Sequence, residues 1–130
     1  MRRISILLAL LTLSGALAGA AMRPAETAVK LSGWFSDEGC AAAKLAADEV
    51  RPNGTVCVKK CLDEGATPVF VDPKARAMYR VKDYPEVKKD VGFFIELTGV
   101  IDAGAKTISV RSTKQLGEVA QMCARPPKKN

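Results

Sequence analysis

The chain has 130 residues, 20 of them lysine or arginine and 14 aspartate or glutamate, for a formal charge of +6. That length bounds it to one domain. It contains no histidine, so no serine or cysteine nucleophile has the common imidazole base, and an enzyme is not expected.

Arg2 and Arg3 precede an uncharged run over residues 4–22 that closes in small residues. A basic start, an apolar stretch and a small-x-small end make the pattern of a secretory signal peptide. Cleavage after Ala18 or after Ala20 fits, the second slightly better, which makes residues 1–20 the leader. The run is also long enough for a membrane anchor, but Gly, Ser and Ala near its end favour removal. No cysteine lies near the cleavage region to carry lipid, and the arginine pair suits an ordinary n-region on the general secretion route better than twin-arginine export. The mature chain is therefore expected in the periplasm or outside the cell, with contact to a membrane only during export. Loss of Arg2 and Arg3 lowers the formal charge from +6 to +4. About 110 residues remain, enough for one modest core that crosslinks would help.

Residues 28–35 partly alternate apolar with polar, which predicts a first strand with Val29 and Leu31 on one face. Ser36 or Asp37 can cap a following alanine-rich helix, which should stop by Arg51 because Pro52 and Asn53-Gly54 follow. Thr55 is a second cap, for a short helix over residues 56–64 that Gly65 closes in a left-handed conformation. Residues 67–72 and 76–81 are short apolar runs around a turn, hence a hairpin. Asp83 caps a short helix that holds Pro85 in its first turn and ends at Gly92. Residues 93–101 form the longest strand candidate, with Gly99 marking a bulge. Residues 102–106 turn the chain, and residues 107–111 alternate so that Ile108 and Val110 face inward. Ser112 and Gln115 have capping-box spacing, and Leu116, Val119, Ala120 and Cys123 fall at helical intervals, which predicts a C-terminal helix with one buried stripe. Residues 124–130 read as a flexible basic tail.

The predicted fold is mainly β with short helices. Five strands with a helix between the third and fourth is the order of the OB-fold, a small Greek-key barrel; here a helical, cysteine-bearing insert (residues 36–66) lies between the first two strands, and the domain spans residues 28–123. The stretches GWFSDEGC, CVKKCLDEGATPVFVD, AMYRV and FFIELTGVID resemble a group of small exported bacterial proteins of unknown function. These share a Gly-Trp-x-Ser-Asp-x-x-Cys opening, then Cys-x-x-x-Cys, and resemble periplasmic proteins of the bacterial OB-fold class. Members often carry a histidine between these cysteines, which this sequence lacks. The resemblance covers residues 31–111 and implies a fold and a compartment but no activity.

Four cysteines, Cys40, Cys57, Cys61 and Cys123, in a short exported chain point first to two disulfides. On a helix Cys57 and Cys61 stand one turn apart, about 5 to 6 Å between β-carbons, too far for the roughly 3.8 Å a disulfide needs. That leaves Cys40–Cys61 with Cys57–Cys123, which is preferred, or the crossed pairing. The alternative is a zinc or copper site built from all four thiolates, although Cys-x-x-x-Cys is looser than the usual zinc spacing and there is neither histidine nor a methionine-rich run for copper. It is also the wrong spacing for a thiol-exchange enzyme. Trp34, Asp37, Lys59, Lys60 and Arg80 are the candidate binding surface: an aromatic platform, a carboxylate and a cationic patch. Each has a plainer account, as a plug at the mouth of the barrel, a helix cap and a solvated face. The compartment and the small charge excess argue against nucleic acid. The expected role is that of a disulfide-stabilised binding or structural protein of the bacterial envelope, without a cofactor, whose partner is an envelope protein or a small ligand.

Overall fold

The computed structural model describes residues 26–120; the predicted leader, the basic tail and Cys123 lie outside the described residues. The elements are β1 (Val29–Asp37), α1 (Glu38–Ala46), α2 (Thr55–Asp63), β2 (Pro68–Asp72), β3 (Ala77–Val81), α3 (Tyr84–Val87), a 3-10 turn (Lys88–Asp90), β4 (Phe93–Asp102) and β5 (Thr107–Glu118). The five strands close into a ring in the order β1-β2-β3-β5-β4, with β4 paired back onto β1. Every pairing is antiparallel except β3 with β5, which is parallel and rests on two residue pairs, Arg80 with Thr107 and Val81 with Ile108. No helix among the described residues is long and apolar enough to cross a membrane.

The strand period of two sorts β1 and β2 into two cores. Phe35 and Phe70 face each other across the pair, their rings edge to face at 5.8 Å, and join Val81, Ile95, Leu97 and Ile108 in the main core, which Val58 and Leu62 of α2 complete. Their neighbours Trp34, Val69 and Val71 point the other way and form a second, smaller core with Ala41 of α1, flanked by Val50 and Met78. The run VFVD in β2 is buried throughout for this reason: α1 covers one face and the ring interior the other. Gly33 lets the two strands come this close, since a β-carbon there would sit 1.9 Å from the Val71 carbonyl oxygen. The insert between β1 and β2 closes as expected, with Gly65 at φ +96° ending α2.

Over residues 112–118 the predicted C-terminal helix gives way to strand. β5 instead continues to Glu118, paired with β4 along its whole length through two register shifts, one of them at Gly99. Thr113 and Gln115, read from sequence within a helical pattern, stand two apart on one strand face, where both reach Asp90. The Thr113 hydroxyl donates to one carboxylate oxygen at 2.6 Å and the Gln115 amide to the other at 2.9 Å. Asp90 is only 2% exposed, so these donors satisfy a carboxylate that burial would otherwise penalise heavily. Leu116, placed on the predicted buried stripe, is exposed. Beyond β5 the Val119 amide donates to the Gly92 carbonyl, and the Thr55 amide donates to the Ala120 carbonyl at 2.9 Å. That contact fixes the end of the described chain to the start of α2, two residues from Cys57.

Gly33→Ala should destabilise the fold by about 3 kcal/mol, the upper end for overpacking, because the obstacle is backbone. Thr113→Val should cost about 2 kcal/mol by removing a hydrogen bond to a buried charge. Urea unfolding midpoints compare both with the parent, and an unchanged midpoint for Thr113→Val would mean Asp90 draws nothing from the Thr113 hydroxyl.

Candidate functional site

Asp37 ends β1, opposite Pro68 of β2, and caps α1: one carboxylate oxygen accepts the Cys40 amide at 2.9 Å. The cap satisfies one of the free amides of the first helical turn. Asp37 is 3% exposed, and its second oxygen, Oδ2, has no hydrogen-bond partner. Cys40 lies in the first turn of α1 and Cys61 in the last turn of α2. Both are half-buried free thiols, and their sulfurs and a carboxylate oxygen of Asp37 all lie within 4.8 Å of one another. Burial first, then the Asp37 charge and a hydrogen bond to it, push the Cys40 thiol up to about 11 from 9.0. Thiolate is the costly form there.

Two expectations about the cysteines change. The Cys40–Cys61 disulfide is not formed, although the two are brought together; and because both are free, the crossed pairing is excluded as well. Cys57 is disulfide-bonded, which removes it from any four-thiolate metal site; its expected partner, Cys123, lies outside the described residues. The binding surface expected from sequence is also dispersed. Trp34 is buried under α1, edge to face with Phe94, and Asp37 is buried in its cap, so neither offers a surface. Lys59 and Lys60 are exposed on α2. Arg80 lies elsewhere, on β3, where its guanidinium donates to Glu38 at 2.8 Å.

A groove of about 610 Å³ opens beside Arg80, bounded by α1, β3 and the β4–β5 turn. It exists because β3 meets β5 only at Arg80 and Val81, which leaves residues 77–79 without a partner on that side. Leu45, Val69, Met78 and Ile101 supply apolar lining, and Arg76, Arg80 and Lys106 bring three cations to it. Arg76 pairs with Asp48 and Arg80 with Glu38, while Lys106 has no ion-pair partner among the described residues. The turns that carry Arg76 and Lys106 are built alike. Asp72 accepts the amides of Lys74 and Ala75, Asp102 accepts that of Ala105, and four residues after each aspartate stands a cation in left-handed backbone, Arg76 at φ +53° and Lys106 at φ +51°. The repeated Asp-x-x-x-cation turn was visible in the sequence; the meeting of the two turns on one groove is tertiary and was not.

Comparison with protein-family models, curated proteins and solved structures returned no match.

In a Cys61→Ser background, Cys40 should react with an aromatic disulfide reagent at pH 8 about tenfold more slowly than an ordinary thiol. Its raised pKa lowers the ionised fraction about a hundredfold, and the stronger nucleophilicity of a more basic thiolate recovers about tenfold. The rate should keep climbing to about pH 11, and Asp37→Asn should move that climb to lower pH. A plateau near pH 9 in the parent would show that Asp37 and burial do not hold the thiol protonated.

Proposed function

We propose that this chain is a small exported binding protein of the bacterial envelope, non-catalytic, disulfide-stabilised and built on an OB-type barrel, whose groove takes a small amphipathic anion. The leader-like start and the Gly-Trp-x-Ser-Asp-x-x-Cys resemblance support the compartment. The strand order, the helix between β3 and β4 and the parallel β3–β5 contact support the barrel type. In such barrels ligands lie on the face of the second and third strands, between the first and last strand connections. The groove here occupies the corresponding place, between α1 of the first connection and residues 103–106 of the last.

The observation that carries the ligand class is the pair of cations in left-handed turns. A non-glycine residue there costs about 1 kcal/mol or more, so local stability favours glycine at both positions. Instead each turn brings a cation to a groove of ordinary ligand-site size, Arg76 held by Asp48, itself left-handed at φ +61°, and Lys106 with no ion-pair partner among the described residues. An anionic head on an apolar body matches that lining.

Anilinonaphthalene sulfonate, an amphipathic anion, is the probe. It should bind the folded chain saturably, one to one, and Lys106→Glu or Arg76→Glu should each weaken binding about tenfold or more, the loss of one charge-assisted contact. Lys59→Glu, on α2 and outside the groove lining, serves as the control. Equal loss in the control, or none in the groove variants, would refute the assignment; near-UV dichroism verifies that each variant keeps native packing.

A further inference from the structure

We infer that Asp37, Cys40 and Cys61 form a zinc site that joins the start of α1 to the end of α2. The three donors come from separate elements, yet their ligand atoms already lie within 4.8 Å of one another. Tetrahedral zinc, with Zn–S near 2.3 Å and Zn–O near 2.0 to 2.2 Å, holds its donors roughly 3.5 to 3.8 Å apart, so closure about an ion needs movements of an ångström or so.

The independent pointer is the buried carboxylate. Asp37 is 97% buried and Oδ2 has no hydrogen-bond partner, and among the described residues no basic side chain pairs with it. Lys44, nearby on α1, spends its ammonium on the Pro52 carbonyl at 3.0 Å, and Arg80 is held by Glu38. A buried carboxylate with one oxygen idle is costly, and a cation between it and the two sulfurs satisfies it. A disulfide between Cys40 and Cys61 would leave that oxygen as it is.

The donor set selects the ion. Two sulfurs exclude calcium and magnesium, which take oxygen ligands. Copper(I) is served by sulfur alone and gains nothing from a hard carboxylate, whereas zinc accepts both donor types. Three protein ligands leave the fourth tetrahedral position to water or to a group from a partner. The site differs from a four-thiolate centre in composition, because Cys57 is disulfide-bonded and a carboxylate stands in the set. It is also independent of the groove.

The test is cobalt(II) titration of the full mature chain, metal-stripped, without air, with the Cys57 disulfide left intact, followed by displacement with zinc. Expected are thiolate-to-cobalt charge-transfer absorption saturating at one ion per chain, its loss in Cys61→Ser, and at least tenfold weaker binding in Asp37→Asn. Asparagine is as good a helix cap as aspartate, so Asp37→Asn keeps the fold while removing the charged ligand. Absence of the charge-transfer band in the thiol form, unchanged affinity in Asp37→Asn, or recovery of the exported chain with a Cys40–Cys61 disulfide and no metal would each overturn the assignment.

Discussion

The buried carboxylate of Asp37 is the constraint on which both candidate sites depend. It terminates β1 by giving the first turn of α1 an acceptor for the Cys40 amide, a contact of the kind worth about 1 kcal/mol. Because it sits in register with Pro68 of β2, the point where strand becomes helix is tied to the sheet. Two consequences follow from that one position. The next residue, Glu38, leaves the cap toward the groove and engages Arg80. Three residues on, Cys40 leaves it toward Cys61. A shift of the cap by one residue would rotate both side chains by about 100° around the helix and dismantle both arrangements.

The helical insert has a structural purpose that limits what else it can do. β2 is apolar on both faces and β1 turns Trp34 to the same side, so Trp34, Val69 and Val71 would be left in water without α1, at a cost of about 1.5 to 3 kcal/mol for each large side chain. α2 serves the opposite face, delivering Val58 and Leu62 to the ring interior. The insert is thus a cover for two cores rather than an appendage that presents its own surface. The groove lies along one edge of this cover, where α1 meets β3.

Much of the fold was legible because several local signals agreed. The hairpin of β2 and β3, the left-handed Gly65, the cap at Asp37 and the bulge at Gly99 each combine a propensity with a turn or capping signal, and nothing tertiary opposes them. The end of the chain failed because its signals conflicted. Ser112 and Gln115 have the spacing of a capping box, but Thr113 and Gln115 have the spacing of a strand face, and the buried carboxylate of Asp90, more than twenty residues away, decides between them. Trp34 is buried, as its plainer account had it, but on the α1 side of the sheet and not in the ring. Alternation shows which residues of β1 share a face but not which face lines the ring when both are buried. At the candidate site, Asp37 and Cys40 are local partners and readable as a cap; Cys61 joins them only through the packing of α2, and no spacing in the sequence encodes that distance.

The groove shows how a small ring of strands leaves a recess beside one of its own strands. Five strands closed by a parallel contact of only two residue pairs leave one side of β3 open, and open backbone beside apolar side chains invites pairing with another chain. Here the opening is flanked by Arg76 and Lys106, both in a backbone region that glycine occupies at less cost. The charges discourage an extended apolar strand from docking along β3, in the manner that edge strands are commonly protected, and on the proposed reading the same charges receive the anion. On that reading, protection of the edge and selection of the ligand are two effects of the same pair of side chains.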